Sequence, residues 1–218
     1  MLIEAVVWDF DGTIVDTETP QYEAWDTVFQ EHGARMDPRV WGEMVGTHSQ
    51  LDLLDVLERE VGPVRREAMA RRVRALEEQY LASAPLRPGV GDLLKELREA
   101  KVPSAIASSS HRQWIRRFLE AHAIERHFQG IASADDVREV KPDPAVYVLA
   151  VRILGKEPGE TLAIEDSAHG ATAALAAGLR CLVVPNPSTE RLLFPAGVVR
   201  VPTLAGVTLP ILEQLFSD

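Results

Sequence analysis

The sequence predicts an α/β fold, a Rossmann-like doubly wound parallel sheet core interrupted by an inserted all-helical domain. Three observations predict it. The segment Leu2 to Phe10 is short, almost continuously apolar and rich in β-branched residues, as a strand buried on both faces must be, and Gly12 marks a sharp exit. From about Thr17 to Ala84 the apolar residues recur at helical spacing and no segment reads as a strand. Beyond Pro88-Gly89, strand-like and helix-like segments alternate, the pattern of right-handed βαβ units and a parallel sheet.

Taken in order, the first element is the strand ending at Phe10. In the helical insertion, Thr19-Pro20 reads as an N-cap and first-turn pair, Tyr22, Trp25, Val28 and Phe29 form a stripe, and Gly33 closes it. Leu51, Leu54, Leu57 and Val61 form a second stripe ended by Gly62-Pro63, and Val73, Leu76 and Tyr80 a third ended before Pro85. Trp25, Trp41 and Met44 read as the core of this insertion. Next come a helix at Val90–Ala100, a strand at Val102–Ser108, a helix at His111–Ala121 and a strand at Gly130–Ala134. A helix at Pro144–Leu154, a strand at Leu162–Glu165, a helix at Ala168–Ala177 and a strand at Cys181–Val184 follow, and Val198–Val201 and Leu209–Phe216 close the chain as an edge strand and a last helix. The domain boundaries expected from this are 1–16 with 85–218 for the core and 17–84 for the insertion, with hinges at Asp16–Thr19 and Pro85–Gly89.

With 218 residues, 46% hydrophobic and 26% charged, the chain is long enough for one substantial core or for a core with a smaller satellite. Its formal charge of −10 argues against nucleic acid or an anionic membrane as a partner, since both need a basic face. No basic-then-apolar leader and no run of bilayer length is visible, so a cytoplasmic location and a monomer are expected. The single cysteine, Cys181, forms no internal disulfide and lies in an apolar run that predicts burial.

The run Trp8-Asp9-Phe10-Asp11-Gly12-Thr13 places two carboxylates one residue apart at the end of a buried strand. Asp-Gly also suits an ordinary turn. Two neighbouring acids in a desolvated place, however, call for a cation or a shared proton. In a parallel sheet everything that follows a strand lies on one edge, where such sheets bind ligands. The hydroxyl run Ser108-Ser109-Ser110, the segment Lys141-Pro142-Asp143-Pro144 and the acidic pair Glu165-Asp166 then join Asp9 and Asp11 in one cleft. The carboxylates suit a hard cation such as Mg²⁺. The serine hydroxyls, with the N–H groups of the next helix start, and the Lys141 ammonium suit a phosphate. Lys141 is one of only four lysines beside nineteen arginines, so a compact ammonium before Pro-Asp-Pro reads as selected. A helix-capping role competes for Ser108 and for Asp166 or Ser167.

In this order, DFDGT at Asp9–Thr13, Ser108, Lys141 in KPDP and EDS at Glu165–Ser167 resemble the four motifs of the haloacid dehalogenase superfamily. The helical insertion resembles the alpha-helical cap of its beta-phosphoglucomutase-like branch. The resemblance implies that Asp9 attacks phosphorus to form an aspartyl-phosphate and that Asp11 is the general acid and base. It implies Mg²⁺ held by Asp9, the Asp11 backbone carbonyl and Asp166, with Glu165 as a direct or water-mediated ligand. Lys141, Ser108 and Ser109 would hold the phosphoryl oxygens, with further contacts from Gly12 and Thr13.

The expected activity is that of a Mg²⁺-dependent phosphatase acting on a small phosphorylated metabolite such as a sugar phosphate. A sugar-phosphate mutase is the nearest alternative. Mutases of the branch carry a cap histidine and a cap arginine where this chain has Gln21 and Ser49, which favours transfer to water. The family's dehalogenases lack the second aspartate, which is present here as Asp11. A phosphometabolite sensor without turnover is a further alternative, opposed by the retention of both acids. Gln21, Thr47, His48 and Arg74 are the candidate substrate contacts from the cap, with surface positions as the competing reading for His48 and Arg74.

Overall fold

A strand without a polar side must be covered on both faces, and the first strand meets that demand at the centre of the sheet. The computed structural model describes residues 3–42 and 52–217. Among them, β1 (Ala5–Trp8) is followed by four helices, α1 (Glu18–Glu31), α2 (Pro38–Gly42), α3 (Leu53–Val61) and α4 (Arg66–Leu81). The chain then alternates through α5 (Val90–Glu99), β2 (Ser104–Ala107), α6 (Arg112–Ala121), β3 (Ile131–Ala132), α7 (Ala145–Leu154) and β4 (Thr161–Glu165). It ends with α8 (Ala168–Ala176), β5 (Arg180–Val183), β6 (Val199–Arg200) and α9 (Leu209–Leu215). All strand pairs are parallel, in the order β3-β2-β1-β4-β5-β6. Val7 lies opposite Ala105 of β2 on one side and Ala163 of β4 on the other. The connections therefore leave β1 in opposite directions, which makes its carboxyl end the switch point of the sheet.

Alternation along β1 feeds two cores. Val6 and Trp8 pack with α5, α6 and α9, whereas Ala5 and Val7 pack with α7 and α8. The second face is lined by alanines from four strands (Ala5, Ala105, Ala132 and Ala163), small enough for α7 and α8 to sit close over the sheet. Cys181 is buried there, and burial pushes its thiol well up. A third cluster, including Val28, Phe29, Trp41, Leu57, Val73 and Leu76, is drawn entirely from the helical insertion, with Trp25 partly buried against it. Each fully buried Val or Leu side chain contributes ~1.5–3 kcal/mol, so this cluster can sustain the four helices beside the sheet. The two chain crossings between insertion and sheet are tied together: Asp16 N–H donates to the Pro85 carbonyl at 3.0 Å and Arg87 N–H to the Ile14 carbonyl at 2.9 Å. Among the described residues no helix is long and apolar enough to cross a membrane.

Several element boundaries differ from the sequence expectation. β1 is four residues long, not the whole of 2–10, because Phe10 already belongs to a turn whose N–H groups at Ile14 and Val15 bond the Phe10 carbonyl. Helix α1 starts at Glu18, so Thr19 and Pro20 lie inside its first turn and the capping oxygen is Asp16 Oδ1, 3.2 Å from Thr19 N. β3 keeps only two residues, because the Ser133 N–H turns to Asp136 Oδ2 at 2.8 Å and continues into a short 3₁₀ turn. Short α2 was not resolved from the sequence as an element of its own. Leu51, Met44 and Ser49 lie outside the described residues. The edge strand and last helix expected near the end are present as β6 and α9.

Candidate active site

Where β1 ends, Asp9 N–H donates to the Ile164 carbonyl at 2.9 Å, the last bond of the ladder to β4, and the chain then turns tightly through Gly12. Gly12 has φ +77°, and a Cβ there would lie 2.5 Å from Asn186 Nδ2 and 2.6 Å from Asp166 Oδ2. Only glycine fits a backbone that bends left-handed against the side chains of Asn186, Asp166 and Glu18. Gly12→Ala is expected to destabilise the fold by ~1–3 kcal/mol through backbone strain alone and to displace Asp166. Thermal unfolding and turnover would check it; a variant matching the parent in both would show that the turn can open.

The burial of charge around this turn is unusual. Asp9 (6% exposed), Glu18 (4%), Glu165 (0%) and Asp166 (1%) are buried acids, and Lys141 (1%) is the one buried base among the described residues. Lys141 Nζ pairs with Asp9 Oδ1 and with Glu165 Oε1, the latter at 2.6 Å, and lies 5.0 Å from the centre of the Tyr147 ring. The Tyr147 hydroxyl donates to Glu165 Oε1 at 2.6 Å. Glu165 Oε2 accepts from the N–H groups of Asp166 and Ser167 and from Ser167 Oγ at 3.1–3.3 Å, so both Glu165 oxygens are engaged. Asp166 Oδ1 accepts from Thr13 Oγ1 at 3.2 Å and Oδ2 from Asn186 Nδ2 at 2.6 Å; the same amide donates to Glu18 Oε2.

One ammonium does not neutralise four buried carboxylates, and the titration behaviour follows. Burial first, then repulsion from Glu165, pushes Asp9 up to about 7 although Lys141 pulls it down. Burial also drives Asp166 and Glu18 well above the ordinary carboxylate range; repulsion from Glu18 and Asp9 adds to the rise at Asp166, and repulsion from Asp9 and Asp11 to that at Glu18, against the pull of the Asn186 amide. For Lys141 burial acts downward, but the charges of Asp9 and Glu165 outweigh it and hold the ammonium above its usual range. Asp9 Oδ2 is buried and has no hydrogen-bond partner among the described residues. Asp9, Glu165 and Asp166 each offer an oxygen, all within 4.8 Å of one another. A hard divalent cation fits this set, because the donors are all oxygen, the charge is uncompensated and one acceptor is orphaned.

Asp11 stands in a different setting, half-buried and ringed by donors. Its Oδ1 accepts from Thr17 Oγ1 and Trp114 Nε1, both at 2.8 Å, and its Oδ2 from Ser110 Oγ at 2.6 Å. Ser108, buried just past β2, donates its N–H to the Ala132 carbonyl at 3.0 Å and accepts the Ser110 N–H at Oγ, with Ser109 between them in the same turn.

The sheet edge thus carries Asp9, Asp11, Gly12, Thr13, Ser108, Ser109, Lys141, Glu165 and Asp166. Lys141 pairs with Asp9 and Glu165, and Thr13 bonds Asp166. Of the cap candidates, Gln21 is half-buried in the first turns of α1 and Arg74 is exposed on α4, near Glu77. Thr47 and His48 lie outside the described residues. Sequence reasoning missed Glu18, Asn186, Tyr147 and Trp114. Asn186 had a usable signal: it follows β5, so the strand-end rule that found Ser108 and Asp166 applies to it as well.

Residues 6–184 match the family model described as haloacid dehalogenase-like hydrolase. The chain is 37% identical over 212 residues to YhcW of Bacillus subtilis (strain 168), a candidate phosphatase by name, covering 97% of this chain and 96% of that protein. It is 28% identical over 209 residues to the phosphorylated carbohydrates phosphatase of Thermotoga maritima, covering 90% and 93%. The crystal structure of CbbY from Rhodobacter sphaeroides in complex with xylulose-(1,5)bisphosphate superposes with a TM-score of 0.75 at 28% identity, covering 97% of this chain and 99% of that one.

Proposed function

The chain belongs to the haloacid dehalogenase-like hydrolase family, and on that premise we propose that it is a Mg²⁺-dependent phosphatase acting on a small phosphorylated metabolite of the sugar-phosphate class. The observation that carries this reading is the contrast between its two aspartates. Asp9 is buried beside Lys141 with a free oxygen, as a nucleophile needs, whereas Asp11 is half-buried, away from the ammonium, with the Ser110 hydroxyl, which can give or accept a proton, at its Oδ2. The Asp9 carboxylate attacks phosphorus while the bond to the leaving oxygen breaks and Asp11 supplies that oxygen with a proton. Asp11 then takes a proton from the water that attacks the aspartyl-phosphate, releasing phosphate and restoring Asp9. Ser108 and Lys141 hold the phosphoryl oxygens by hydroxyl and ammonium donation.

Asp9, Asp166 and the Asp11 carbonyl would hold Mg²⁺, with Glu165 behind them. When bound, the ion offsets the repulsion between these acids and a phosphate dianion. Residues 17–84 serve as the cap over the core formed by 1–16 and 85–218, moving at the paired crossings Asp16–Thr19 and Pro85–Gly89 and shielding the first step from water. The substrate class draws its support from the relative named for phosphorylated carbohydrates and from the sugar bisphosphate bound to CbbY.

Phosphate release from a panel of sugar phosphates, with Mg²⁺ and with chelator, tests the reading. Turnover that survives chelation, or glucose 6-phosphate rather than free phosphate from beta-glucose 1-phosphate, would overturn it. The Asp9 shift adds a pH signature. Its folded pKa of about 7 lies above the ordinary aspartate value of 3.8, so the metal-free fold loses stability as pH rises between the two. Mg²⁺ competes with that proton. The Mg²⁺-induced rise in melting temperature should therefore be larger at about pH 8 than at about pH 5. Equal shifts at both would exclude Asp9 as a ligand.

A further inference from the structure

We propose that Trp114 is a positioning residue for Asp11, orienting its carboxyl group so that Oδ2 is the oxygen that delivers the proton to the leaving group. The proposal rests on the phosphatase reading above. Indole N–H can only donate, whereas a hydroxyl can donate or accept by rotating its proton. At Oδ1 the donors are Trp114 Nε1 and Thr17 Oγ1, so a proton placed on Oδ1 would face an N–H that cannot accept it. At Oδ2 the hydrogen-bond partner among the described residues is Ser110 Oγ, 2.6 Å away, which accommodates either state. Trp114 therefore breaks the symmetry of the carboxyl group.

The indole is itself held firmly. Its ring meets Phe118 edge-on at 5.0 Å, and Phe118 lies 6.1 Å from Phe10, the residue between the two aspartates. Trp114 and Ser110 both belong to the core, on α6 and the turn before it, whereas Thr17 precedes α1 of the insertion. The orientation of Asp11 is thus set from the same core segment that carries Ser108. In the step concerned, the Asp9 oxygen–phosphorus bond forms, the phosphorus–ester oxygen bond breaks, and the proton on Asp11 Oδ2 passes to that ester oxygen.

The test compares kcat/KM, which reports the steps through release of the leaving group, for an alkyl phosphate and for p-nitrophenyl phosphate. An alkoxide needs the proton, whereas p-nitrophenolate leaves with little help. Trp114→Phe should lower kcat/KM for the alkyl ester by roughly 10- to 100-fold and for the aryl ester by about threefold or less. Trp114→His, which keeps an N–H donor, should recover part of the alkyl loss, and in an Asp11→Asn background Trp114→Phe should lose nothing further. Because each variant is judged by the ratio of two substrates in one preparation, partial unfolding cancels. Equal losses on both esters, no loss on either, or an undiminished loss in the Asp11→Asn background would overturn the proposal. An unaltered enzyme that hydrolyses no ester at all would instead overturn the phosphatase reading.

Discussion

Asp9→Asn is expected to reduce phosphate release by a factor on the order of 10⁴ or more while leaving the protein folded. The loss is large because no other group can take the role. Asp11 is committed to three donors, Glu165 has both oxygens engaged, and Asp166 is held by Thr13 and Asn186. The fold survives because the amide matches the carboxylate in shape and removes one negative charge from a site with too many. In the metal-free protein above about pH 7, where Asp9 is ionised, the variant should be at least as stable as the parent, and its stabilisation by Mg²⁺ should shrink. Phosphate release and melting temperatures with and without Mg²⁺ check both parts, and intact mass should show a phosphoryl adduct only with Asp9 present. Activity within about tenfold of the parent would remove Asp9 as the nucleophile.

How much of this site was legible in the sequence follows from how its residues reach it. Asp9, Ser108, Glu165 and Asp166 are placed by strands that can be read as apolar runs, and a parallel sheet delivers all strand ends to one edge. Lys141 was legible as an unusual choice of cation, but its burial between Asp9 and Glu165 was not, because pairing across 132 and 24 residues leaves no local pattern. Tyr147 and Trp114 sit at helical spacing among apolar residues and read as core; they are core by ring and site by polar tip. With the cap expected at Thr19, Glu18 falls before the helix in the sequence; it is in fact an acid of the first turn of α1, favourable there for the helix dipole, and only the fold-back of Asn186 shows that it is buried. The start of α1 was misplaced for a related reason. Thr17 gives its hydroxyl to Asp11 instead of capping the helix, and Asp16 caps in its place.

Lys141→Met is expected to cause the largest loss of stability, about 3–5 kcal/mol in the metal-free protein near pH 8. Methionine fills most of the lysine volume and can still lie against the Tyr147 ring, so packing changes little and the loss is electrostatic. Without the ammonium, Asp9 and Glu165 face each other without their shared cation in a site that also holds Asp166, and the charge of Glu165 raises the proton affinity of Asp9 and Asp166. A carboxylate whose folded pKa is raised makes the fold less stable as pH climbs from its unfolded value to its folded one. The difference between variant and parent should therefore narrow on acidification to about pH 5, where Asp9 is protonated in both. Added Mg²⁺ should recover part of the stability near pH 8 by supplying the missing positive charge, but little activity, because the phosphoryl oxygens have lost their ammonium donor. Urea unfolding at the two pH values, each with Mg²⁺ and with chelator, separates these effects. A variant as stable as the parent at about pH 8 in chelator would mean that protons already neutralise the buried acids there, and that Lys141 is retained for the phosphate alone.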